Sequence, residues 1–559
     1  MFLDAGFAAN LPLGAVCFFL GSVLVLGADR PHGQAGSGRS AVLARNGMVA
    51  TSQPLAAQAG LDILKQGGNA FDAAVATAAV LAVVEPMMTG PGGDLFVLAH
   101  VAETDELVGL NASGFSPAAV GSEFFAKREL EKIPTTGPFS VSVPGAVDGW
   151  ATLLEAHGTM TLAQVLAPAI RYAEEGFPVS EIIAGDWKAG AERFAEAEEF
   201  NRVYLKGRGE AYGHGEVFEN PDLAKTFRQI GEGGRDAFYR GEFARSMVKA
   251  LNEQGWPVTL EDLDYQHSDW VEPISTTYKG YELFELPPNG QGIAALEMLN
   301  ILEGFDLQAM GHNSTDYLHT LIEAKKLAFA DLDSWLADPE KSDLPVGKWI
   351  SKDYGAKQRG RIHKKKAAES VETGMPVEGD TVYLTVVDKD RNAVSFINSI
   401  FHGFGSGEVA PGTGVILQNR GALFTLEDNH PNRLEGRKRP YHTIIPAMVM
   451  KDGKPWMSFG VMGGDMQPQG HVQILLNMLE FGMNVQDAGE APRFRHFAEG
   501  VSLESGVDPT VVQELTRRGH KVIWAPGGFG GYQAIRIDWE NGVLIGGTDP
   551  RKDGLVAGW

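Results

Sequence analysis

The stretch Phe71–Val84 reads FDAAVATAAVLAVV, with no charge after Asp72 and no polar side chain after it except Thr77. A helix this apolar has no face for water and must be covered all round. In a chain of 559 residues that demand is met by one large layered domain or by two ordinary ones. Gly67-Gly68 separates this helix from an amphipathic one predicted over Pro54–Gln66. Hydrophobic residues make up 44% and charged residues 21%, a balance that excludes a disordered chain. The 69 glycines exceed the ordinary share of about 7% and imply tight turns and close backbone approach.

Helical periodicity recurs at Leu162–Glu175, Asp222–Gly231, Phe243–Gln254, Ile293–Leu302 and Thr315–Leu332, and Gly90–His100 turns into a strand. Lys357–Glu378 is charged, interrupted by Gly and Pro and weakly periodic, which predicts an exposed linker closed by Gly379 and Asp380. From Thr381 the pattern becomes that of strands. Tyr383, Thr385 and Val387 alternate, Asp388–Asn392 makes a hairpin turn, and Ala393–Ile400 returns. Further strands are predicted at Gly414–Leu417, Ala447–Met450, Trp456–Phe459, Ala534–Asp538 and Val543–Gly546.

At the start, Gly6–Ala28 is an uncharged, mostly apolar run, long enough for a signal-peptide core or a membrane anchor. Its flanks conflict: Asp4 precedes it where a signal wants Lys or Arg, and Arg30, Arg39 and Arg45 follow. The expectation is a periplasmic or membrane-anchored protein, or a cytoplasmic one if the start is over-extended. The formal net charge of −23 disfavours nucleic acid and anionic membrane as partners. The single cysteine, Cys17, excludes an intrachain disulfide and a cysteine-built metal site.

Several chemistries are missing from the sequence. There is no GxxxxGK[ST], no HExxH and no GxSxG. Gly403-Phe404-Gly405-Ser406-Gly407 is followed by Pro411 and Gly412, so it lacks the helix that a dinucleotide site needs. The 14 histidines show no metal-ligand spacing. What stands out is Thr381, opening a strand where a charged linker stops. If the chain is cut before it, its new α-amine, with a pKa near ~8, can serve as base for its own hydroxyl. An ordinary β-branched residue starting a strand fits the local sequence as well.

Longer motifs carry a resemblance. Asn46–Ala50, Leu64–Ala76, Pro91-Gly92-Gly93-Asp94, Val143–Val147, Glu285–Pro288, Lys438-Arg439-Pro440, Gly463-Gly464 and Asp549-Pro550-Arg551 together resemble the γ-glutamyltransferase family, in consistent order from Asn46 to Trp559. The resemblance implies the four-layer αββα sandwich of N-terminal-nucleophile hydrolases, an α/β fold. It also implies a precursor that cleaves itself before Thr381. Residues 1–45 are then an N-terminal extension, 46–380 the large-subunit part and 381–559 the small-subunit part of one intertwined domain. Thr381 matches the nucleophile, Gly463 and Gly464 the oxyanion-hole pair, and Ser399 a second hydroxyl kept near the nucleophile. No metal or organic cofactor is implied.

Departures from the family pattern bear on the substrate. The position of the family's carboxylate-binding Arg falls at Ser113. The Asn that holds the α-amine becomes Phe401, and the Asn-Gln-x-Asp-Asp run becomes Asn419-Arg420-Gly421-Ala422-Leu423. A Ser-Ser pair becomes His442-Thr443, and the lid segment Phe424–Arg437 is short. Acceptors for an ammonium are lost, while Arg420, with His442, offers donors to a carboxylate. Arg420 as a structural ion pair at a strand end is the plainer alternative. The expected enzyme hydrolyses, or transfers the acyl group of, a small amide whose acyl part carries a carboxylate. Genuine glutathione hydrolysis or γ-glutamyl transfer is the second reading, and an uncleaved binding protein the third. Homo-oligomerisation is left open.

Overall fold

A computed structural model describes residues 38–207, 209–368 and 379–559. The apolar run Gly6–Ala28 with Cys17 lies outside the described residues, as does the second half of the predicted linker, 369–378. Ser40–Trp559 forms one compact unit.

Period-two side chains with both faces apolar dictate sheets covered on both sides. In the strand Asp380–Val387, Val382, Leu384 and Val386 pack into one core, while Tyr383 and Val387 pack into another. Its hairpin partner Ala393–Phe401 repeats the division, with Val394, Phe396 and Ile400 on one side and Ala393 and Ile397 on the other. The adjoining strand Asp94–Val101 does the same, with Leu95, Val97 and Ala99 opposite Phe96 and Leu98.

These three strands are central in an antiparallel seven-stranded sheet that also holds Met48–Thr51, Leu555–Gly558, Glu106–Ala112 and Asp269–Val271. A second seven-stranded sheet is built from Val42–Ala44, Val543–Thr548, Tyr532–Asp538, Lys454–Val461, Ala447–Lys451, Tyr281–Glu285 and Ile274–Tyr278, in that order. Phe96, Tyr383, Ile397, Ile444, Met448, Ile535 and Leu544 fill the space between the sheets. Helices cover both outer faces. Ala70–Val84 packs on the first sheet, buried at every residue as its composition predicts. A capping box of Asn69 and Asp72 starts it. Gly292–Leu302, Thr315–Trp335 and Met466–Leu479 belong to the core on the outer side of the second sheet. The architecture is the αββα sandwich.

Two expectations need correction. The linker predicted from Lys357 begins inside a helix, Lys352–Arg359, whose Arg359 donates to the carbonyls of Asn300 and Ile301. Ala367 beyond it is buried, and its N–H donates to the Arg518 carbonyl at 2.8 Å. That part of the linker is docked because backbone partners, not side-chain periodicity, hold it. Helix Met466–Leu479 was not foreseen. Pro468 and Gly470 break its pattern, yet Pro468 sits in the first turn, where no intrahelical N–H is lost. Among the described residues no helix is long and apolar enough to cross a membrane.

Candidate active site

Counting in twos along the paired strands puts Thr381 and Ser399 on the face between the sheets, at the end of their hairpin. Both are buried. The Thr381 hydroxyl donates to Ser399 Oγ at 3.3 Å. Ser399 Oγ also accepts from the Phe401 amide at 2.8 Å and from Arg420 Nη2 at 3.0 Å. The nucleophile candidate therefore faces a hydroxyl whose oxygen is already polarised by a cation.

Arg420 opens the short 3-10 turn Arg420–Leu423 and is wholly buried. Its second terminal nitrogen, Nη1, donates to Thr443 Oγ1 at 2.7 Å, and its guanidinium carbon lies 4.6 Å from the Phe401 ring centre. Burial pulls its pKa down to about 9, against the opposing charge of Asp94, which leaves it cationic near neutrality. His442 is buried too, with Nε2 2.9 Å from Asp94 Oδ2. Burial first, and Arg420 next, pull its pKa down to about 4, with Asp94 opposing. The imidazole is therefore neutral at pH 7 and donates its Nε2–H to Asp94.

Asp94 ends the motif Pro91-Gly92-Gly93-Asp94, which by itself points to no role for its side chain. It starts its strand opposite Ser399. Its Oδ1 accepts from the Gly114 and Gly145 amides at 2.9 and 3.2 Å and from Gln418 Nε2 at 2.8 Å. With His442, four donors from four loop segments converge on this one buried carboxylate and tie those segments to the strand that pairs with Ser399.

Ser113 takes part in a polar cluster of its own. Its Oγ donates to Asn111 Oδ1 at 2.7 Å and accepts from Asn289 Nδ2 at 3.2 Å. Asn419 holds His402, accepting from its amide at 3.1 Å, and donates to the Thr135 carbonyl at 2.7 Å. Gly463 and Gly464 lie between the strand Lys454–Val461 and the helix Met466–Leu479. Their φ values are 115° and 57°, the left-handed region that glycine occupies without strain. The Gly463 carbonyl accepts from the Met466 amide, and that of Gly464 from the Gln467 amide and Gln291 Nε2. The positive end of the helix dipole thus adjoins the pair.

Thr381 and Gly463 open on one cavity of about 790 Å³. Arg193, Arg495, Arg551, Lys552, Asp186 and Glu504 supply its charged lining. Arg551 is held by Glu504 and Asp549. Trp524, 80% exposed, stands at its rim beside the glycine-rich turn Gly527–Gly530. Thr381, Ser399, Arg420 and Thr443 are joined by hydrogen bonds; of these four only Thr381 lines the cavity. Ser113, Asn419 and His442 likewise sit behind the wall, whereas His402 and Thr135 line it. The basic lining was not picked out from sequence, because Arg193, Arg495 and Lys552 are far apart along the chain and carry no local motif.

This frame is shared with known proteins. The family model "Gamma-glutamyltranspeptidase" matches residues 56–559. The glutathione hydrolase-like YwrD proenzyme of Bacillus subtilis is 41% identical over 529 residues, covering 92% of this chain and 99% of that one. The oxamate amidohydrolase proenzyme of Klebsiella pneumoniae is 34% identical, covering 93% and 100%. The crystal structure of cephalosporin acylase from Bacillus halodurans superposes with a TM-score of 0.89 at 44% identity, covering 96% of this chain and 99% of that one. With nearly the whole length matched in sequence and in fold, the chain belongs to the γ-glutamyltranspeptidase family and is an N-terminal-nucleophile hydrolase.

Proposed function

We propose that the chain cuts itself between Asp380 and Thr381 and then hydrolyses small amides whose acyl group carries a carboxylate. The freed α-amine of Thr381 takes the proton of its own hydroxyl, and Oγ attacks the amide carbonyl. The oxyanion is received by the amides of Gly463 and Gly464. The C–N bond breaks, the amine leaves with that proton, and water then hydrolyses the Thr381 ester. The observation that carries this reading is the charge of the one cavity onto which Thr381 opens. Its lining carries four cationic side chains, Arg193, Arg495, Arg551 and Lys552, and two carboxylates, Asp186 and Glu504. A substrate carboxylate suits such a wall. In this reading the carboxylate meets these cavity cations, and Arg420 acts through Ser399. The names of the similar oxamate amidohydrolase and cephalosporin acylase agree with an acyl group that lacks an α-amine.

One observation favours γ-glutamyl transfer as a second reading. Asp186 lines the cavity, and its Oδ2, buried without a hydrogen-bond partner, is an acceptor for a ligand ammonium once the side chain turns toward the cavity. The two readings separate on matched leaving groups. Glutaryl-p-nitroanilide should be cleaved with a kcat/KM higher than that of γ-glutamyl-p-nitroanilide by on the order of a thousandfold, the cost of an ammonium without acceptors. Preference for the γ-glutamyl compound, abolished by Asp186→Asn, would put the second reading first.

A further inference from the structure

Away from the cavity, three buried side chains converge that the mechanism does not use. His319 and Glu323 lie one turn apart on the helix Thr315–Trp335, and His520 follows the helix Pro509–Arg517. One ligand atom from each falls within 4.8 Å of the others. His319 Nδ1 and His520 Nε2 are 2.8 Å apart. His319 Nε2 faces the His363 carbonyl at 2.8 Å. That nitrogen therefore carries the ring proton, and Nδ1 presents a lone pair, the second-sphere arrangement of metal-bound histidines.

We propose that His319 Nδ1, His520 Nε2 and a carboxylate oxygen of Glu323 form a site for a divalent cation of the zinc class, tying the chain before Asp380 to the chain after Thr381. Two imidazoles and a carboxylate suit zinc, with water as the fourth ligand. Zinc–nitrogen bonds of about 2.0–2.1 Å in a tetrahedron set the nitrogens about 3.3 Å apart, so the rings must part by about 0.5 Å. On binding, the His520 ring proton moves to Nδ1, a buried atom without a hydrogen-bond partner. Lys326 opposes the cation. Its ammonium lies 2.8 Å from Glu323 Oε1, though it also reaches the Ala368 carbonyl at 3.3 Å and can shift there. The other Glu323 oxygen accepts from the Ala368 amide at 3.0 Å. The site therefore also pins the end of the docked linker segment. The tying role rests on the proposed cut; cation binding does not.

The test uses the full-length chain, stripped with a chelator and titrated with zinc or cobalt(II), with metal per chain and the cobalt visible bands as readouts. Wild type should take up one equivalent with bands of a tetrahedral site. His520→Gln should bind at least about tenfold more weakly, and Lys326→Met more tightly, since a neighbouring like charge is gone. If His520→Gln does not fold, Glu323→Gln, which keeps shape and volume, carries the same expectation. Absence of stoichiometric uptake by wild type overturns the site, as does equal uptake by a folded His520→Gln. A wild-type chain that stays uncut yet binds the metal overturns the tying role and leaves the site. A chain that is cut and binds none overturns the site and leaves the function.

Discussion

Arg420 bridges the hydroxyls of Ser399 and Thr443, and that bridge sets what its replacement should do. Arg420→Lys keeps the charge but loses the planar fork. Autocleavage and kcat should both fall by roughly tenfold or more, to the same extent for a carboxylate-bearing and a neutral acyl amide. A loss confined to the carboxylate-bearing substrate would return Arg420 to direct substrate contact. Asp94→Asn tests the four-donor hub. The new amide turns an N–H toward donors in a buried site, costing about 3 kcal/mol in a urea-unfolding measurement. His442 supplies a pH dependence. Its pKa falls from 6.5 to about 4 on folding, so its contribution is full above pH 6.5 and is lost as pH falls toward 4. Between pH 6.5 and 5 the unfolded chain binds the extra proton, and stability drops by about 2 kcal/mol. His442→Gln should flatten that slope. Residue types showed which side chains were available for chemistry. They did not show that Arg420 and His442 face inward, because orientation depends on partners such as Asp94.

At the scale of elements, the site rests on one strand hairpin and one strand-to-helix junction. The hairpin was legible because alternation runs unbroken from Tyr383 to Val387 and a polar turn follows. Asp388 Oδ1 accepts from the Asp390 and Asn392 amides within that turn. The junction was legible only as a glycine pair. A Cβ on Gly463 would meet the Gly530 Cα at 3.2 Å, at a φ of 115°. Gly463→Ala should therefore displace the amides that receive the oxyanion, lowering kcat by on the order of 10²-fold. The thermal midpoint should fall by only a few degrees, as about 1 kcal/mol implies. An unchanged kcat would remove this pair from the oxyanion role.

For the whole molecule, the decisive measurement is the mass of its pieces. A purified sample should yield two chains, the smaller beginning Thr-Val-Tyr-Leu-Thr, and Thr381→Ala should yield one. Thr381→Ser keeps the hydroxyl and should still cut. An intact wild type after long incubation would favour the non-catalytic binding protein. We also propose that the apolar run Gly6–Ala28 exports or anchors the protein. Deleting Met1–Ala35 should move it into the cytoplasmic soluble fraction, and an unchanged distribution would point to an over-extended start.

The sequence by itself determined that the helix over Phe71–Val84 is covered all round, and its motifs, by resemblance, implied the four layers. An all-apolar helix has no face for water, and local composition records that directly. The sequence also marked Thr381, through the motifs that resemble the γ-glutamyltransferase family, because the change from charged linker to strand alone fits an ordinary β-branched residue as well. The tertiary structure alone decided what stands behind the Thr381–Ser399 pair. Asp94 and His442, like His319 and His520, meet across hundreds of residues or nearly so. Contacts of that kind leave no period in the sequence, because they are set by how sheets stack and loops close rather than by neighbours along the chain.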